Sequence, residues 1–178
     1  VGSAAGSGAI LGGGRYAVKP VHGKDRCIYG VGREGVVLMA KSVPAMVLTK
    51  PKTLEAREFA RPAIGADDGL LRIEACGICG SDAEQYAGVI PVRMPLVPGH
   101  EPLGIIEKIG ARAAKRWGVA AGDRVAVEAP IPCGHCRACI EGRYQLCRGR
   151  GAGLFGHGYV PLSTPPGIWG GFADYMYL

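Results

Sequence analysis

Four cysteines fall within fifteen residues, at Cys133, Cys136, Cys139 and Cys147. Zinc in structural sites favours a tetrahedron of thiolates at about 2.3 Å. Two-residue gaps let a tight loop turn paired sulfurs inward, and Gly134 and Gly142 supply the backbone freedom such a loop needs. A complete soft donor set leaves no open coordination position, so this ion is expected to order a loop rather than to catalyse. Disulfides or buried free thiols are the plainer reading, and the tight clustering weighs against them. His135 lies among the ligands but has no vacancy to fill, so it is read as a bystander. The cluster alone names no function, because zinc ribbons, nucleic-acid modules and enzymes all use four cysteines.

A second constellation has a different character. Cys76 and Cys79 sit in Ala75-Cys76-Gly77-Ile78-Cys79-Gly80-Ser81-Asp82, and about twenty residues later comes Pro98-Gly99-His100-Glu101. A thiolate, an imidazole and a carboxylate form a mixed set that can leave one coordination position open, as catalytic zinc requires. Such an ion polarises an alcohol or carbonyl oxygen and lowers the pKa of a bound alcohol. Ser81, two residues after Cys79, is placed to relay the released proton. A histidine met singly is more often a structural residue than a ligand. Cys76 and Cys79 could instead form a redox pair, but the glycine between them and the downstream histidine favour a metal.

These side chains need a scaffold of short elements. Strands are expected at Ala45 to Leu48, Leu70 to Ala75, Leu103 to Ile109, Arg124 to Glu128 and Phe172 to Leu178, with turn residues between them. A short helix is expected from Ser81 to Tyr86, capped by Ser81 or Asp82, and a helical turn from Cys136 to Glu141. The pattern is mainly β with short helices, which points to a barrel or sandwich. The 30 glycines and 13 prolines agree with many turns.

Composition narrows the class. With 48% hydrophobic and 20% charged residues the chain reads as a globular domain rather than a disordered one. No run approaches about 18 apolar residues, so no membrane helix is expected. The net charge of +6 is spread without a basic run, so a nucleic-acid partner is not expected. Seven cysteines, mostly in tight local groups, fit metal sites in a reducing compartment, hence a cytoplasmic location. Residues 1–38 begin with a glycine-rich stretch and show no clear period; they are read as a flexible or tag-like extension, with the domain proper spanning 39–178. Within the extension Gly30, Gly32 and Gly35 spell a dinucleotide-type fingerprint. The strand before it would be very short and Pro44 would stop the helix after it, so it is read as a chance spacing.

Taken in order, CGICGSD, PGHE, GDRVAVE, the four-cysteine run and GGFADY resemble the zinc-dependent branch of the medium-chain dehydrogenase/reductase family, from about Ala45 to Leu178. The tract from Gly158 to Pro161 and from Gly167 to Phe172 resembles its threonine- and sorbitol-dehydrogenase type. The resemblance implies a GroES-like barrel serving as the catalytic domain of an oxidoreductase that moves a hydride between an alcohol and NAD(P). It implies that Cys79, rather than Cys76, and His100 hold the catalytic zinc, with Glu101 ligating or flanking it and Ser81 as the relay hydroxyl. It also implies a small alcohol or carbonyl substrate and a homo-oligomeric complete enzyme. Two departures follow. Glu84 stands where many relatives carry a histidine. Relatives also continue into a nucleotide-binding Rossmann domain and a further residue near the metal; neither is expected in this chain, so the chain alone is expected to be inactive. The competing reading is a zinc-binding interaction module, which would hold one zinc rather than two.

Overall fold

A computed structural model describes residues 18–20, 42–147 and 156–178. Two antiparallel sheets make the body. Strands β1 (Val18–Pro20), β4 (Gly69–Gly77), β5 (Glu101–Ile109), β6 (Arg124–Val127) and β7 (Tyr175–Tyr177) form a five-stranded sheet in the order β1-β6-β5-β4-β7, and β2 (Ser42–Lys50) pairs with β3 (Thr53–Ala60). The mainly-β expectation holds, and each strand read from the sequence has a counterpart.

The segment expected as one last strand is divided between the sheets, and this division closes the body. The Met46 N–H donates to the Phe172 carbonyl at 2.8 Å and the Asp174 N–H to the Pro44 carbonyl at 3.0 Å, with Ala45 bridged to Ala173. Three residues on, Tyr175, Met176 and Tyr177 pair with Arg72, Leu71 and Leu70. One short segment therefore stitches β2 to β4, leaving few backbone edges unpaired.

Burial follows the strand period. In β2 Val43, Ala45 and Val47 point inward while Ser42, Pro44 and Met46 are exposed, and Leu48 is buried as well. Leu71, Ile106, Val125, Val127 and Met176 meet Ala113 and Trp117 of α2 (Ala111–Trp117), a helix flanked by glycines that no apolar period announces. Strand β3 was equally hard to read: its residues are almost all exposed, since it covers β2 without entering the core. Within the stretch read as a flexible extension, Val18–Pro20 pairs with Val127–Val125 at the edge of the larger sheet. The Gly30, Gly32 and Gly35 spacing lies outside the described residues. No helix among the described residues is long and apolar enough to cross a membrane.

His157 is wholly buried, its backbone N–H donating to the Ala129 carbonyl at 2.8 Å. Burial drives its pKa down to about 4, partly offset by the Trp169 backbone. Between the ordinary histidine value near 6.5 and about 4, the unfolded chain takes up a proton that the folded chain refuses. Stability from this group is therefore complete above pH 6.5 and declines by about 3 kcal/mol as the pH falls toward 4. Melting curves between pH 7 and pH 4.5 should show this acid limb, and His157→Gln should flatten it; an equal slope in that variant would refute the assignment.

Candidate metal centres

The four-cysteine lobe is built from a loop, the short helix α3 (Arg137–Ile140) and a 3-10 turn at Tyr144–Leu146. Cys136 precedes α3 in an extended conformation, which swings the backbone so that Cys136 and Cys139 face one side. The Cys133–Cys139, Cys136–Cys139 and Cys136–Cys147 sulfur separations are 3.9, 3.5 and 3.9 Å. A tetrahedron with 2.3 Å zinc–sulfur bonds has edges of about 3.8 Å, so this spacing suits a zinc ion. Backbone N–H groups at His135 and Cys136 hold the Cys133 thiol down at about 6, whereas burial pushes Cys139 up to about 12. Four sulfurs this close cannot all ionise without a cation among them. All four are free thiols. His135 turns its ring to the Cys133 carbonyl at 2.9 Å. Tyr144 ties the lobe to the barrel, its hydroxyl donating to Glu128 Oε1 at 2.6 Å just beyond β6; that bond, with burial, raises Tyr144 to about 12.

The second cluster forms where β4 hands over to helix α1 (Gly80–Ala87) and where the chain enters β5. Cys79 Sγ lies 3.3 Å from His100 Nε2 and 2.9 Å from Ser81 Oγ, and Ser81 Oγ lies 3.3 Å from His100 Nε2. On the other edge of the ring, His100 Nδ1 is 3.4 Å from Asp82 Oδ1. Asp82 Oδ2 in turn accepts the Cys79 N–H at 2.9 Å. A thiol and a ring nitrogen thus face a common point, while a buried carboxylate holds the imidazole from behind. Metal-binding histidines are oriented in this way.

The structure brings Cys79, Ser81 and His100 together but leaves Glu101 outside this group. Glu101 opens β5 immediately after the bend that holds His100. Its exposed carboxylate lies over Gly77, where an added Cβ would meet Oε2 at 2.3 Å. The carboxylate grouped with Cys79 and His100 is that of Asp82, on the Nδ1 side of the ring. The helix cap also moves: Cys79, extended at φ −113°, precedes the helix, while Asp82 reaches back from its third position. That serine-or-aspartate spacing was visible in the sequence as a cap signal, and its second task was not. Cys76 packs against Gly99 and Gly171, and burial raises its thiol to about 11, which makes it a poor redox partner for Cys79.

Residues 65–178 match the family model described as the alcohol dehydrogenase GroES-like domain. The chain belongs to this family. It is 48% identical over 136 residues to a probable alcohol dehydrogenase of Mycobacterium tuberculosis, covering 76% of this chain and 37% of that protein. The solved cobalt- and zinc-bound thermostable alcohol dehydrogenase of Pyrobaculum aerophilum is 30% identical with a TM-score of 0.64, over 77% of this chain and 39% of that one. An alcohol dehydrogenase of Escherichia coli CFT073 solved with NADH is 29% identical with a TM-score of 0.64, over 78% and 36%. The chain therefore spans less than two fifths of the length of these relatives. The GroES-like barrel implied by the motifs is the fold observed, and this domain is of the zinc-dehydrogenase type.

Proposed function

We propose that this domain provides the metal-binding half of a zinc-dependent alcohol dehydrogenase, whose complete form moves a hydride between an alcohol carbon and NAD(P). The observation that carries the reading is the mutual approach of Cys79 Sγ, Ser81 Oγ and His100 Nε2 within 3.3 Å. Zinc bound there supplies Lewis acidity toward an alcohol or carbonyl oxygen. Cys79 and His100 hold the ion and Asp82 keeps the imidazole turned toward it. Ser81 holds a hydroxyl beside the position where substrate oxygen would sit, and there it can receive a hydrogen bond from the alcohol and relay the proton by giving up its own. The Cys133, Cys136, Cys139 and Cys147 set holds a second, structural ion.

A small alcohol fits this site better than nucleic acid does. Much of the positive charge is already engaged: Arg112 and Arg116 face Asp67, Arg124 faces Glu74, and Arg61 and Arg72 face Glu107. Free thiols at both clusters support a reducing, cytoplasmic setting. We take 39–178 as the catalytic domain and the complete enzyme as a homo-oligomer.

Metal analysis tests the reading. The chain should bind two zinc ions, one resistant to chelation and one labile. Cys79→Ser should abolish the labile ion and keep the resistant one, at a melting temperature within about 3 °C of the parent. One zinc per chain in the parent would favour the interaction-module reading instead.

A further inference from the structure

We propose that Tyr159 is a positioning residue for Ser81: its hydroxyl fixes the direction of the Ser81 proton, and so tunes the metal site at Cys79 and His100. The inference rests on the metal reading of that site.

The Tyr159 hydroxyl donates to Ser81 Oγ at 3.3 Å, bridging 78 positions of sequence. A serine hydroxyl has one proton to give and two lone pairs to receive with. With a lone pair taken by Tyr159, the serine proton is left to point away from the tyrosine, toward Cys79 Sγ at 2.9 Å or toward an oxygen beside it. The Tyr159 ring also stands next to the His100 ring, with centroids 5.4 Å apart and planes tilted by 46°. Tyr159 therefore touches both the hydroxyl and the imidazole of the cluster.

The tyrosine is itself held in register with the helix that carries Ser81. Gln85, one turn further along α1, is buried and donates through Nε2 to the Gly158 carbonyl at 2.9 Å. Residues four apart lie on one face of a helix. Ser81 and Gln85 thus grip two consecutive residues, Tyr159 and Gly158, as a matched pair. The Gly158 N–H donates to the Trp169 carbonyl at 2.9 Å and the Tyr159 N–H to the Gly156 carbonyl at 3.1 Å, which fixes the loop from its other side. A hydroxyl placed by so many backbone constraints has little freedom to be elsewhere. Glu84, also on α1, is exposed.

The test uses the full chain with Co(II) and Zn(II), read by chelator competition and by the cobalt–thiolate charge-transfer band. Tyr159→Phe keeps the ring and removes only the hydroxyl. It should weaken the labile site about tenfold and shift its charge-transfer band, with affinity at the four-cysteine site and the melting temperature unchanged. Ser81→Ala should do the same, and the double variant should be no worse than either single one, because both remove one coupled pair. Parental affinity and band in Tyr159→Phe, or additive losses in the double variant, would overturn the proposal. Loss at both metal sites together would also overturn it, since that marks a general structural role. A parent chain with no labile metal would instead defeat the metal reading itself, and the role of Tyr159 with it.

Discussion

Cys139→Ser should cost the chain its tightly held zinc and the order of the 133–147 lobe. Cys139 is the buried member of the set and lies within 3.9 Å of both Cys133 and Cys136 sulfurs. Serine offers a harder, neutral oxygen in a pocket shaped for thiolates, so the remaining three sulfurs lose the fourth corner of their tetrahedron. In such sites the metal-binding free energy is also folding free energy for the loop. Loss of a structural metal belongs among the few changes that exceed about 4 kcal/mol, which for a chain of this size lowers the melting temperature by roughly 10 °C or more. The lobe should become protease-sensitive while β4 and β5 keep their amide protection. Because Tyr144 anchors to Glu128, the damage should stop near the end of β6. An unchanged zinc content with an unchanged melting curve would remove the structural role.

Gly170→Ala should be as damaging, for a steric reason alone. A Cβ at this position would sit 2.0 Å from the Val97 carbonyl oxygen and 2.3 Å from that of Pro98. Backbone oxygens cannot rotate aside as a side chain can. The neighbouring bonds, from the Gly171 N–H to the Gly99 carbonyl at 2.8 Å and from the Phe172 N–H to the Pro98 carbonyl at 3.0 Å, must lengthen to admit the methyl group. Overpacking of this kind costs about 3 kcal/mol or more, and it pushes on the segment that ends at His100. The expected result is a melting temperature lower by roughly 6–12 °C, and a labile metal site weakened at least about tenfold. Gly118→Ala is the control: a Cβ there meets nothing within 4 Å, and only its left-handed backbone, at φ +69°, resists. That strain costs about 1 kcal/mol and leaves metal binding as it was. Equal effects of the two substitutions would show that close approach at Gly170 is not what matters.

Much of the site was legible because metal ligands advertise themselves locally. Four cysteines with short gaps can converge only if the loop is tight, and the loop's own backbone accomplishes this with little help from the rest of the barrel. The same holds for Cys79 and Ser81, which belong to one turn at the start of α1. His100 was legible as a motif, but its approach to Cys79 depends on the register of β4 against β5, where Gly77 pairs with Glu101.

What the sequence by itself determined is therefore the donor chemistry, the strand-rich composition and the order of motifs, each a property of residues close along the chain. The tertiary structure decided which carboxylate joins the cluster. Asp82 is set beside His100 by the helix it caps, and the Glu101 carboxylate lies over Gly77 at the start of β5. It also decided that Phe172 to Leu178 serves two sheets and that Tyr159 meets Ser81 across 78 residues. Contacts of that range are set by loop closure and sheet register, which no local spacing encodes.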